Sequence, residues 1–274
     1  MHLVSVPSRT LRRTAAAVAV LVLTGVVGIA SGVASPRSGY APGSERFTYE
    51  ASFTTQHAGK PTGFKQAIDY VNPRDHDAKP PAIMGVHVVL PEGSRIDPTV
   101  PRVCRASDAE LMLAGPAACP AKSRVGEGTL SADTGAPGEV GTFPRTIETD
   151  ARFFNGGGDL IFLAETTNTL LPLRISSRFE VGERSFTSTV PPLPGAPPPD
   201  PFLAIDEVTN SLFRIASDAG DGYITTPSRC PRDRLWRFTA EVTYRDGVVQ
   251  KQDSLMRCRG SSGVKRRPGG VYSS

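Results

Sequence analysis

After the leader, the residues able to do chemistry are three histidines, His57, His76 and His87, four cysteines, and scattered acids. His76 lies between two carboxylates in Asp75-His76-Asp77, with Asp69 nearby, and imidazole plus carboxylate oxygens are ligand types for a divalent cation. One imidazole between two acids, just before Ala78-Lys79-Pro80-Pro81, reads instead as an exposed loop. Asp218-Ala219-Gly220-Asp221-Gly222 begins like half a calcium loop, but it lacks oxygen ligands at alternate positions and a later bidentate glutamate. Asp and Gly there read as turn formers. Glu148-Thr149-Asp150 sets two acids at alternating positions, as carboxylates on a strand of a jelly-roll glycosidase are set across a cleft. Ala151-Arg152-Phe153-Phe154 follows with no third acid, so the pair reads as the solvent face of a strand. Gly-x-Ser-x-Gly elbows, phosphate-binding Gly loops and His-Glu-x-x-His helices are absent. The expectation is no catalytic residue, no metal site and no cofactor.

The cysteines are the clearest constellation. Cys104, Cys119, Cys230 and Cys258 are even in number, and no Cys-x-x-Cys pair is present for zinc. They read as disulfides, for which three pairings are possible. Local structure favours Cys104–Cys119 and Cys230–Cys258. Between the first two, Ser107-Asp108-Ala109-Glu110 is a capping-box pattern, Leu111-Met112-Leu113-Ala114 follows, and Gly115 can close the end. This predicts one short helix over Asp108 to Ala114 inside a bridged loop. Loop closure by either bridge contributes roughly 3 to 4 kcal/mol.

Disulfides require an oxidising compartment, and the N-terminus supplies the route. Arg9, Arg12 and Arg13 precede an uncharged run from Ala15 to Ile29, followed by small residues ending at Ala30 and Ala34. A basic start, a short apolar centre and small residues at the exit describe a secretory signal helix over residues 1–34, cleaved after Ala34 or Ala30. Left uncleaved, it would be a single anchor, the only membrane contact the sequence suggests. The formal charge of +4 comes from 31 basic and 27 acidic residues. Three of those arginines belong to the leader, and five more basic residues lie beyond Met256 with no acid among them. The body is therefore slightly acidic, which argues against nucleic acid. Residues 35–46 read as a linker and 259–274 as a disordered basic tail.

With 27 glycines and 25 prolines in 274 residues, long helices are disfavoured. Alternation supplies the elements. Phe47-Thr48-Tyr49-Glu50-Ala51-Ser52-Phe53 turns Phe47, Tyr49, Ala51 and Phe53 to one face, the pattern of a half-buried strand. Trp236 to Tyr244 repeats it over nine residues, and the single tryptophan fits a core better than a sugar-stacking platform. Asp246-Gly247 suits a hairpin turn into a return strand over Val248 to Leu255. A strict two-residue loop would put Lys251 and Asp253 on the apolar face, so the spacing implies another register or an edge strand. Asn155-Gly156-Gly157-Gly158-Asp159 separates Thr146–Phe154 from Leu160–Thr166, and Gly182 separates Leu173–Glu180 from Arg184–Val190. Ala82–Leu90 and Arg124–Leu130 are further strands, and Phe202 to Ile215 reads as strand with a bend. The Pro-rich segment 191–201 reads as a rigid connection between strands. The expected fold is all-β: an antiparallel sandwich or jelly roll over residues 47–258 with one short helix.

Pro101-Arg102-Val103-Cys104, the run Cys119-Pro120-Ala121-Lys122-Ser123-Arg124-Val125-Gly126-Glu127-Gly128, Thr226-Pro227-Ser228-Arg229-Cys230, and Trp236 through Asp246-Gly247 to Cys258 resemble fragments of uncharacterised exported proteins of high-GC Gram-positive bacteria. The resemblance implies a secreted β-rich protein with those cysteines paired, and it carries no activity. The functional expectation is a secreted or cell-envelope binding or structural module, with a cell-wall polymer or glycan as candidate partner. The rival is an extracellular jelly-roll hydrolase of glycans using Glu148 and Asp150.

Overall fold

The computed structural model describes residues 43–136, 144–196 and 200–260. The leader 1–34, most of the linker and of the tail, and Pro197–Pro199 of the Pro-rich segment lie outside them. Among the described residues fourteen strands run in chain order: β1 Phe47–Phe53, β2 Pro61–Thr62, β3 Phe64–Tyr70, β4 Ile83–Val89, β5 Arg95–Ile96, β6 Arg124–Asp133, β7 Thr146–Asn155, β8 Asp159–Thr166, β9 Arg174–Val181, β10 Ser185–Thr189, β11 Ala204–Leu212, β12 Ile224–Thr225, β13 Leu235–Tyr244 and β14 Val249–Arg257. Helix α1, Asp108–Ala114, is the one α-helix among the described residues. Eleven strands form one antiparallel sheet in the order β1-β3-β11-β6-β7-β8-β9-β10-β4-β13-β14, and β2-β12-β5 form a small second sheet.

The long sheet curls until its halves face each other. Inward positions on β1 and β3 pair as Phe47↔Tyr70, Tyr49↔Ile68 and Phe53↔Phe64. Across the core Phe64 stacks on Phe186 of β10 and Phe238 of β13, and Phe53 meets Trp236 edge-on at 5.5 Å. Trp236 is 2% exposed, as its place in a strict alternation requires. Inward Gly128 permits close strand approach: a Cβ there would lie 2.2 Å from the Thr209 carbonyl of β11. β11 carries a bulge between Ile205 and Glu207, the bend its sequence suggests.

The ends of the ladder, β1 and β14, close on each other through side chains instead of backbone. Gln250 accepts from the Arg46 N–H at 2.8 Å and donates to the Ser44 carbonyl at 2.8 Å. Ser254 Oγ accepts from the Ala51 N–H at 2.9 Å, and Phe53 N–H meets Met256 Sδ at 3.2 Å. The register explains this. Thr243 pairs with Val249, so the turn is longer than two residues and Lys251 and Asp253 face outward. Gly247, at φ 83°, makes that turn. Lys251 then pairs with Glu241 and Asp253 with Arg237 on the outer face. The expected linker and tail are partly held as well: Ser44 and Arg46 join the seam, and Arg259 N–H donates to Gln56.

The alternation of direction gives the sheet two distinct ends. β1, β4, β7, β9, β11 and β14 begin at one, here the entry end, where β3, β6, β8, β10 and β13 finish. The Pro-rich segment spans that end from β10 to β11. Its Pro194 bridges Phe202, while Leu203 N–H donates to Leu193. Among its described residues, Asp200 pairs with Lys79 at 2.8 Å.

Candidate functional site

The segment from Pro98 to Cys119 is built onto the outer face of β7, β8 and β9. Ser107 caps α1 reciprocally: its hydroxyl accepts from Glu110 N–H at 3.3 Å, and Glu110 Oε2 accepts from Ser107 N–H at 2.8 Å. Those contacts hold the Glu110 carboxyl below the usual range. The helix turns Leu111 down onto Phe154, Ile161 and Leu163, forming a second small core with Cys104 and Cys119. This accounts for Leu160-Ile161-Phe162-Leu163-Ala164, an unbroken apolar run buried on both faces of β8.

Three side chains of the sheet clamp the segment. The buried Asn155 amide donates to the carbonyls of Pro98 at 2.8 Å and Pro101 at 3.1 Å. Arg178 donates to Ala106 O and pairs with Asp108 and Asp159. Its hydrogen bond to Asp159, ahead of that to Asp108, strengthens its hold on the proton. Arg174 donates to the carbonyls of Met112 and Leu113 at the helix end and pairs with Glu165. The Cys104–Cys119 bridge closes the loop with a Cα–Cα distance of 5.1 Å. Cys230–Cys258, at 5.6 Å, ties the end of β14 to the β12–β13 connection, and no cysteine is free.

Between the bridged loop and α1 runs a groove of about 680 Å³, lined by Val103, Ala106 and Ala118 with Arg102, Arg105 and Glu110 at its polar side. Arg102 and Arg105 are exposed. Neither guanidinium has a partner among the described residues, unlike Arg174 and Arg178 beside them. Two free guanidinium groups against one tied carboxylate make an electropositive groove with an apolar floor. Such groups bind phosphate or carboxylate with two parallel N–H donors each. The sequence carried a local signal for it, arginines three apart flanking Cys104, which motif reasoning aimed at catalysis passes over.

A smaller cleft of about 350 Å³ lies at the entry end, lined by Tyr70, His76, Asp77, Asp133, Arg145 and Asp206. Arg145 bridges it, bonding the Asp77 carbonyl and pairing with Asp133 at 3.3 Å. Burial pushes the Asp206 carboxyl up, and Asp133 leads the nearby acids that add to the effect.

Of the other sequence candidates, His76 and Asp77 line the entry-end cleft and the rest lie apart from both features. Asp75, His76 and Asp77 are exposed in the β3–β4 connection, and among the described residues no three His, Cys, Asp or Glu side chains gather as a metal site. Asp218 and Asp221 belong to an exposed turn closed by Ser217 N–H donating to Asp221 O. Glu148 and Asp150 stand on the exposed face of β7, with Ile147, Thr149 and Ala151 turned to the core, and line neither cleft. His57 is exposed, while His87 Nδ1 contacts Thr187 Oγ1 at 2.8 Å within the sheet. No helix among the described residues is long and apolar enough to cross a membrane. Neither the protein-family models nor the curated proteins compared with this chain match it.

Proposed function

We propose that the chain is an exported binding module of the cell envelope or its surroundings, and that the groove beside the Cys104–Cys119 loop is its ligand-facing surface. One observation carries the reading. The loop is locked by a disulfide, by Asn155 and by two arginines, while Arg102 and Arg105 at its groove are left free. Locking a surface before it meets a ligand reduces the ordering cost of binding. The ligand class is an anionic wall polymer bearing phosphate or carboxylate groups, which two guanidinium forks suit. Two disulfides accord with an oxidising compartment, and the leader reads as the route there. Kinship with exported proteins of high-GC Gram-positive bacteria, implied by the Cys119–Gly128 run, points the same way.

The test is co-sedimentation of the protein with isolated cell walls, intact and stripped of their anionic polymers. Retention on intact walls that is lost on stripping, and lost with Arg102→Ala/Arg105→Ala, is the expected result. Equal retention of the double variant and the parent would refute the groove as the binding surface.

A further inference from the structure

The described residues leave seven large apolar side chains exposed, and all seven lie toward the entry end of the sheet. Met84 and Val249 stand at the beginnings of β4 and β14. Met112 and Leu113 end α1, where their carbonyls are held by Arg174, the first residue of β9. Leu170, Leu171 and Leu173 form the β8–β9 loop, Leu170 and Leu171 being 80% and 76% exposed and Leu113 85%. Chance scatter over a soluble surface would not confine them to one end, and apolar groups gathered this way mark a contact surface.

The β8–β9 loop is organised to present its tip. Thr166 N–H donates to the Leu173 carbonyl, and Thr166 Oγ1 accepts from Leu173 N–H. Thr169 Oγ1 donates to the Leu171 carbonyl. Asn168 braces the base of the loop, accepting from Glu148 N–H and donating to the Thr146 carbonyl. Pro172 has no N–H, and residues 167–173 carry no charge. The tip therefore exposes two leucines while several of its backbone groups are already bonded within the loop. That lowers the cost of taking it out of water, because unsatisfied backbone groups are what an apolar medium penalises most.

We propose that the entry end docks on a lipid bilayer, with Leu170 and Leu171 entering the boundary between headgroups and acyl chains. The exposed groups come from four separate elements around one end, an arrangement that suits a planar surface better than a single partner groove. The chain also joins the fold at that end: β1 begins there, and where the leader is left uncleaved the uncharged run Ala15–Ile29 is separated from the first described residue by residues 30–42, a reach of at most roughly 45 Å. Charges of both signs stand at the same end, Asp75, Asp77, Glu148 and Asp246 beside Arg74, Arg145 and Arg245, so they give an anionic bilayer no net attraction and the contact with zwitterionic lipid is apolar. This site is distinct from the arginine groove and stands without it.

The experiment places an environment-sensitive fluorophore on Leu171→Cys in the full chain and adds phosphatidylcholine vesicles. A second protein carries the same fluorophore on Glu92→Cys, exposed near the opposite end of β4. The leader alone can hold the chain to vesicles, so the readout is the probe's surroundings and not co-sedimentation. The expected result is a blue shift and loss of iodide quenching at position 171, neither of them at position 92. An unshifted probe at 171, whether or not the chain is bound to vesicles, overturns the proposal. So does a shift that needs no vesicles and grows with protein concentration, which would mean that a second copy covers the loop.

Discussion

Ser254 Oγ bonds both backbone groups of Ala51, accepting from its N–H at 2.9 Å and donating to its carbonyl at 3.1 Å. A side chain on one terminal strand thus does for the other terminal strand what a neighbouring backbone would. Gln250 repeats the arrangement two turns of the pleat away on Arg46 and Ser44. An exposed edge is a template for pairing with another chain, and these contacts occupy it.

Ser254→Ala leaves a buried N–H and a buried carbonyl without that partner. The expected loss is about 1–3 kcal/mol in urea denaturation. Hydrogen exchange at the Ala51 amide should accelerate more than at Tyr49 or other β1 amides. Unchanged exchange at Ala51 would mean that the seam is held by packing alone.

Asn155→Ala removes the donor that two carbonyls of the Pro98–Arg102 stretch share. We expect about 1–3 kcal/mol of destabilisation and faster proteolysis within residues 98–106. Asn155→Asp should cost more, because it turns acceptors toward acceptors.

Replacing Cys104 and Cys119 together by serine should lower stability by about 3 kcal/mol through the freed loop. Leu111→Ala should cost about 2–5 kcal/mol, since its side chain fills the second core. Both are read by chemical denaturation, and both should weaken wall binding, because the groove is built on this platform. Thiol counting on the native protein is expected to find no free cysteine.

Asp206 gives a pH signature. Its carboxyl is pushed up in the folded chain, so the folded state binds that proton more tightly than the unfolded state does. Stability tied to this group therefore falls as pH rises from the unfolded value through the raised folded one, and the full penalty is present at neutral pH. Asp206→Asn should raise the melting temperature at pH 7, with the gain shrinking as pH is lowered toward 4. A gain that grows on acidification would reverse the sign argued here.

Much of the local structure was legible from residues a few places apart. The alternation from Phe47 to Phe53 yields β1 with the same bounds, and Ser107, Glu110 and Gly115 bound α1 as their capping chemistry requires. The spacing around Asp246-Gly247 already forbade the shortest hairpin, and the structure resolves the conflict by shifting the register one residue. The run Leu160–Ala164 shows by itself only one strand of a hairpin, because nothing in it says that a helix fifty residues earlier covers its second face. The Asp133–Asp206 cleft is not legible as a site, since it joins segments that only folding brings together; the arginine groove lies within one stretch, Arg102 to Pro120, and what the sequence leaves open is that neither Arg102 nor Arg105 meets an acid there.

Two periods in the chain, one of two residues and one set by helix caps, depend on contacts within a single element, so they are written in order along the sequence. Which strand lies beside which depends on free energies summed over side chains far apart, as when β3 pairs with β11 and β4 with β13. The same holds for the seam at Ser254 and Ala51, separated by 203 residues. The tertiary structure alone decided those pairings, and with them which arginines are spent holding the platform and which leucines are left facing outward.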